Sequence, residues 1–134
     1  MENTTQTTTS TTGKKKFILV AEDDNFYANI YKIKLAKEGF DVAVVGNGDW
    51  VMKFVQKQTP DLILLDLVMP VMDGFETLKN LKENPKTKQI PVICLSSLGQ
   101  DEDVQKAKKI GAIDYLIKTN VSIQEVVAKI KEHI

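Results

Sequence analysis

Residues 61–74 read DLILLDLVMPVMDG, and the fold turns on what Asp66 does at the end of LILL. Leu62 to Leu65 form a short continuous apolar run, of the kind found in strands covered on both faces of a sheet. A carboxylate that followed such a run into a buried sheet would carry a heavy desolvation penalty unless it were paired, hydrogen-bonded or bound to a metal. Asp66 is therefore either exposed at a strand end or it has company.

Four other runs share that character: FILVA at 17–21, VAVV at 42–45, PVICL at 91–95 and AIDYLI at 112–117. Together with LILL they predict five buried strands. Helical patterns lie between them. Phe26, Ile30 and Ile33 predict the apolar stripe of a first helix, and Val51, Phe54 and Val55 that of a second. Phe75, Leu78 and Leu81 mark a third helix, and Val104, Ala107 and Ile110 a fourth that stops at Gly111. Gly39 ends the first helix in the same way, since glycine takes the left-handed C′ conformation without a Cβ penalty. Ser122-Ile-Gln-Glu125 reads as a capping box opening a fifth helix that buries Ile123, Val126, Val127 and Ile130. Five strands alternating with five helices predict a doubly wound α/β fold, a parallel sheet in order 2-1-3-4-5 with helices on both faces.

Such sheets bind ligands beyond the carboxyl ends of the strands, where the winding direction reverses, here between strands 1 and 3. The first strand ends in Glu22-Asp23-Asp24 and the third in Asp66. Neighbouring carboxylates resist ionising together, and a hard divalent cation resolves the conflict. Mg²⁺ takes oxygen ligands and is held by one or two carboxylates plus phosphate oxygens. Strand 4 brings Ser96 and Ser97 to the same edge and strand 5 brings Lys118. A hydroxyl and an ammonium facing a metal-bound carboxylate suit an oxyanion, such as a phosphoryl group. Plainer roles stand beside these: Asp66 as a turn residue, Glu22 and Asp23 as an exposed cap cluster, Tyr115 as an edge aromatic. Asp24 and Asp73 read as helix caps, and Asp61 as the start of a strand.

With 134 residues, 43% of them hydrophobic, the chain can build one ordinary core. Eighteen basic and eighteen acidic residues balance, which points to neither nucleic acid nor an anionic membrane as the main partner. Residues 1–13, MENTTQTTTSTTG, are Thr-rich and nearly without apolar side chains, so a flexible tail is expected there and the domain over 14–134. The single cysteine, Cys94, lies inside an apolar run, which excludes an internal disulfide and fits a buried thiol in a reducing cytoplasm. No stretch is apolar for long enough to span a membrane, and the polar N-terminus has no signal core. His133 falls in the last helical turn, where a partly positive side chain suits the dipole.

The cluster AEDD (21–24), DLVMPVMDG (66–74), LSS (95–97) and GAIDYLIK (111–118) occur in this order, each at a predicted strand end. From about Lys15 onward the chain resembles the receiver domain of bacterial two-component response regulators, of the kind that also occurs alone in chemotaxis signalling. The resemblance implies a flavodoxin-like (βα)₅ fold with Asp66 as phosphoryl acceptor. It implies that Mg²⁺ is held by Glu22, Asp23, Asp66 and the backbone carbonyl of Val68. Ser96 becomes the switch hydroxyl, Lys118 the partner of the phosphoryl group, and Tyr115 the rotor that swings inward. The phosphodonor is then a histidine kinase or phosphotransfer protein, and the chain catalyses only its own phosphorylation and dephosphorylation. The chain stops near the last receiver helix, so the signal is expected to leave through the helix 4, strand 5, helix 5 face to a protein target. In receivers that lose their phosphoryl group quickly, polar side chains stand at the positions held here by Val68 and Leu98, which implies a long-lived phosphorylated state.

One departure concerns the residue after the lysine, which is usually proline and often cis. Here it is Thr119, and because a cis bond to a non-proline residue costs about 2.5–4 kcal/mol, a trans bond is expected. Three rivals weigh less. A phosphorylation-independent pseudo-receiver, a docking module only, usually lacks acidic or lysine positions that this chain retains. A haloacid-dehalogenase-like phosphatase needs a second carboxylate at the position of Val68. A nucleotide-binding reading of GNG at 46–48 lacks the third glycine of the fingerprint.

Overall fold

The structure is a computed structural model that describes residues 15–134, so the expected tail over 1–13 lies outside the described residues. Five strands, β1 (Phe17–Ala21), β2 (Asp41–Val45), β3 (Leu62–Leu65), β4 (Val92–Ser96) and β5 (Asp114–Ile117), form one parallel sheet in the order β2-β1-β3-β4-β5. The helices α1 (Asn25–Lys37), α2 (Gly48–Lys57), α3 (Gly74–Glu83), α4 (Asp101–Ile110) and α5 (Ile123–Glu132) alternate with them. This is the predicted topology.

The continuous apolar runs follow from burial on both faces. Leu19, Ala21, Ile63 and Leu65 point to one side and pack with Val51 and Val55 of α2, Leu78 and Leu81 of α3, and Ala107 of α4. Ile18, Val20, Leu62 and Leu64 point to the other, against Tyr31 and Leu35 of α1 and Val126, Val127 and Ile130 of α5. β2 departs from the expectation of full burial: it is an edge strand, and its residues 42–45 are only half-buried. Cys94 is fully buried, and burial pushes its thiol up to about 12, so it stays protonated and inert.

The first helix corrects the sequence pattern. Its buried face is Ala28, Tyr31 and Leu35, whereas Phe26 and Ile33 are 68% and 57% exposed. Apolar side chains occur almost all the way round this helix, so periodicity alone does not choose the face. The entry geometry chooses it: Asp24 caps the helix, its Oδ1 accepting from the N–H groups of Phe26 and Tyr27 at 2.8 and 3.3 Å.

The other ends follow sequence chemistry. Asn47 of the GNG fragment caps α2 by accepting from Trp50 N–H, Asp73 caps α3 by accepting from Glu76 N–H, and Ser122 with Glu125 forms the capping box of α5. Asp61 accepts from Phe17 N–H at 2.7 Å, tying the starts of β3 and β1 together.

Gly74 couples fold to site. A Cβ there would stand 2.4 Å from the carbonyl oxygen of Asp66 and 2.4 Å from Leu67 Cα, so α3 starts against the backbone that carries Asp66. Gly74→Ala is expected to cost about 1–3 kcal/mol through this backbone clash, read as a lower urea midpoint with an unchanged slope.

Candidate functional site

The site is assembled where the strands end, by ladder bonds that run one residue further than the strands. Asp66 N–H donates to Ala21 carbonyl at 3.0 Å, Glu22 N–H to Val45 carbonyl at 2.9 Å, and Lys118 N–H to Ser96 carbonyl at 2.9 Å. Each residue is the first beyond its strand, and each is held in register by the neighbouring strand. Three side chains from distant parts of the sequence therefore converge without any long loop.

Their company answers the question raised by Asp66. Lys118 Nζ lies 2.5 Å from Glu22 Oε1 and 3.0 Å from Asp66 Oδ2, with side-chain exposures of 7%, 2% and 6%. The other carboxylate oxygens are also satisfied: Glu22 Oε2 accepts from Asp24 N–H, and Asp66 Oδ1 from Val68 N–H, both at 3.0 Å. The Tyr27 ring lies on the ammonium from another side, 4.5 Å from Nζ to the centroid. Burial pushes Glu22 above the usual carboxylate range, outweighing the hydrogen bonds from Lys118 and from Asp24 N–H that pull it down. Burial alone would lower Lys118, yet its bonds to Glu22 and Asp66 hold the ammonium above the usual lysine value.

Asp23 is exposed on the rim, and one oxygen of each of Glu22, Asp23 and Asp66 falls within 4.8 Å of the others. With all three ionised, Lys118 leaves two negative charges uncompensated. Three hard oxygen donors of this kind fit Mg²⁺, which keeps several waters and needs only a few protein ligands. Receiver domains bind Mg²⁺ at such an acidic pocket. The three carboxylates border an open cavity of about 270 Å³ that Val68, Ser97 and Thr119 also line.

The two serines part at the strand end. Ser96 is fully buried as the last residue of β4, its Oγ accepting from Leu98 N–H at 3.2 Å, while Ser97 is exposed and lines the cavity. Tyr115 is 8% exposed, already turned inward, and its hydroxyl donates to Leu98 carbonyl at 2.6 Å. Both backbone groups of Leu98 are thus tied, one to each expected switch residue. Val68 is 50% exposed at the cavity rim, and Leu98 packs against the core. Among the described residues there is no cis peptide, so Lys118–Thr119 is trans. Sequence reasoning missed Tyr27. Its signal was there: three residues beyond the Asp24 cap, the first helical turn stands over the strand ends.

A doubly wound sheet with its acidic residues and lysine gathered at the switch point defines a class of α/β modules that bind a ligand at the strand ends. Over residues 18–131 the chain matches the family model of the response regulator receiver domain, and it belongs to that family. Receiver domains are signalling phosphoacceptors rather than true enzymes, and they partner with histidine kinases or phosphotransfer proteins. The chain is 32% identical over 114 residues to the phosphate regulon transcriptional regulatory protein PhoB of Rhizobium meliloti, covering 85% of this chain and 50% of PhoB. It is also similar to the BeF3-activated receiver domain of Klebsiella pneumoniae RstA, with TM-score 0.82, 29% identity and coverage of 88% and 97%. The Mn(2+)-bound form of the response regulator Rcp1 superposes with TM-score 0.75 and 28% identity, covering 87% of this chain and 90% of that one. The chain spans about half the length of several regulators it matches, at 50%, 44% and 47%. No helix among the described residues is long and apolar enough to cross a membrane.

Removing Lys118 would strand two buried carboxylates. Lys118→Met is expected to cost about 3 kcal/mol at neutral pH. Glu22, already raised, rises further without its ammonium, so the folded variant holds a proton that the unfolded chain releases. That stabilising contribution is present at low pH and lost as pH rises through the folded value. The gap to wild type therefore narrows as pH falls towards the ordinary carboxylate value of 4.5, a trend read from urea unfolding at several pH values.

Proposed function

We propose that this chain takes a phosphoryl group onto Asp66 from a histidine kinase or phosphotransfer protein, in the presence of Mg²⁺, and thereby alters a protein-binding surface. The observation that carries the reading is the buried Asp66 carboxylate with Lys118 Nζ on one oxygen and a backbone N–H on the other, beside a second buried carboxylate. One Asp66 oxygen attacks phosphorus as the donor's phosphorus–nitrogen bond breaks, and the imidazole nitrogen keeps the electron pair and takes a proton. Glu22, Asp23, Asp66 and the carbonyl of Val68 would hold the metal, whose charge offsets that of the phosphoryl oxygens. Mn²⁺ in Rcp1, an oxygen-seeking ion of the same charge, supports this assignment.

Lys118 then exchanges a carboxylate partner for a phosphoryl oxygen, an equally good acceptor for an ammonium. Ser96 supplies the switch hydroxyl. To meet the phosphoryl group it releases Leu98 N–H, and because Tyr115 holds the carbonyl of the same residue, the β4–α4 loop moves with both. The output surface is the face formed by α4, β5 and α5. A charge of about −1.5 to −2 added at an already acidic site is ample to bias such a loop.

Asp66→Asn tests the acceptor. The amide keeps the shape without the nucleophile, so intact mass after incubation with acetyl phosphate and Mg²⁺ should show one added phosphoryl group in wild type and none in the variant. Stoichiometric phosphorylation of the variant would refute the assignment. Asp23→Ala should weaken Mg²⁺ binding in a titration.

The lifetime supplies a second test. Val68 at the rim and Leu98 in the β4–α4 loop offer no side-chain group to orient an attacking water, so the phosphorylated state should be long-lived. Val68→Asn with Leu98→Glu should speed loss of label by on the order of ten-fold, about 1.4 kcal/mol of barrier. Decay of wild type within seconds, or an unchanged rate in the double variant, would contradict this.

A further inference from the structure

Lys118 touches the site on three sides, and two of them change during the reaction. The Asp66 oxygen it bonds belongs to the group that becomes an acyl phosphate, and Glu22 is one of the carboxylates that would serve the metal. The third side is the face of Tyr27, 4.5 Å from Nζ, which takes no part in the chemistry. The Lys118 side chain as a whole is 7% exposed, so water competes little for it.

The ring is held by other aromatic side chains. Tyr27 stacks on Tyr31 with centroids 6.0 Å apart and planes at 23°, and Tyr31 is itself 5% exposed in the core beneath α1. Phe26 packs against the same ring in a T-shaped arrangement, with centroids 5.6 Å apart and planes at 78°. Tyr27 and Lys118 both line the acidic cavity and an adjoining apolar one between α1 and α5. The ring thus packs on the lysine where the two cavities adjoin.

We propose that Tyr27 is a positioning residue for phosphoryl transfer: its aromatic face holds the Lys118 ammonium at the cavity while the carboxylate hydrogen bonds are exchanged for a phosphoryl oxygen. The role rests on the phosphoacceptor reading above and adds to it a residue outside the acidic cluster. It uses the π face and not the hydroxyl, because the attraction of a desolvated ammonium to an aromatic ring comes from the ring quadrupole. Phenylalanine can therefore replace tyrosine, and an aliphatic side chain of similar bulk cannot.

The test compares wild type, Tyr27→Phe, Tyr27→Leu and Tyr27→Met, with Asp66→Asn as the control for the acceptor. In metal-free protein with ¹³C-labelled lysine, the ε-methylene protons of Lys118 should be shifted upfield by the ring current, and assignment follows from their loss in Lys118→Met. The shift should persist in Tyr27→Phe and collapse towards that of exposed lysines in the Leu and Met variants. With acetyl phosphate and Mg²⁺, phosphorylation should slow about five- to ten-fold in the Leu and Met variants and recover to within about two-fold in Tyr27→Phe. The ring current goes with the ring, so the shift reports where the ammonium sits in wild type and Tyr27→Phe, and the rate with its rescue by phenylalanine separates positioning from packing.

The proposal is overturned if wild type shows no upfield shift of the Lys118 ε-methylene protons, or if either folded aliphatic variant keeps the wild-type rate. It is equally overturned if Tyr27→Phe is as slow as Tyr27→Leu, since the hydroxyl or the packing would then be what matters. Two aliphatic variants guard against one that fails to fold, which amide spectra show directly. Failure of the underlying reading looks different: wild type takes up no phosphoryl group, or Asp66→Asn does, and the positioning role falls with it whatever the resonance shows.

Discussion

An ammonium held between two buried carboxylates at the end of a parallel sheet is the constraint on which the rest of this molecule depends. Lys118 at 2.5 Å from Glu22 and 3.0 Å from Asp66 makes it possible for LILL to end in a charge that is 6% exposed. Buried ion pairs recover their desolvation cost only with good geometry and satisfied remaining lone pairs. Here the spare oxygens are met by the N–H groups of Asp24 and Val68, so the cluster is closed on the protein side and open on the cavity side. Such a pair contributes little net stability against an apolar replacement, and its value lies in the chemistry it prepares.

The surroundings serve that arrangement. Ladder bonds extended past β1, β3 and β5 place Glu22, Asp66 and Lys118 at one edge, and Gly74 lets α3 begin against the backbone of Asp66. The acid caps Asp24 and Asp73 start the helices α1 and α3, the first in the same EDD that supplies two metal-ligand candidates. One short sequence thus carries a strand end, an ion site and a helix start. On the far side, Ser96 and Tyr115 hold the N–H and the carbonyl of Leu98, so one residue of the β4–α4 loop senses both.

Much of this was legible in the sequence because burial on both sheet faces leaves uninterrupted apolar runs, and their number and spacing leave few topologies. The strand order, the placement of Glu22, Asp66 and Lys118, and the caps Asp24, Asp73 and Ser122 all followed from such local signals. The face of α1 did not, since Phe26, Tyr27, Ile30, Tyr31, Ile33 and Leu35 surround the helix and only the cap angle selects Ala28, Tyr31 and Leu35. The half-burial of β2 is a matter of its edge position, which composition does not record. That Ser97 lines the cavity while Ser96 is buried follows from side chains alternating at the strand end. Val71 gave no signal at all: a β-branched residue, 82% exposed, sits at φ +70° in the loop between β3 and α3, where local propensity argues against it.

The central claim is that the carboxylate of Asp66, and no other group of the acidic cluster, receives the phosphoryl group. An acyl phosphate is reduced by borohydride to an alcohol, which marks an aspartate as homoserine. Peptide mass mapping after phosphorylation in Mg²⁺ and borohydride treatment should find homoserine at position 66, with Glu22 and Asp23 unchanged. Conversion at either of those residues, or stable phosphoryl label on a serine or threonine with none at 66, would contradict the account.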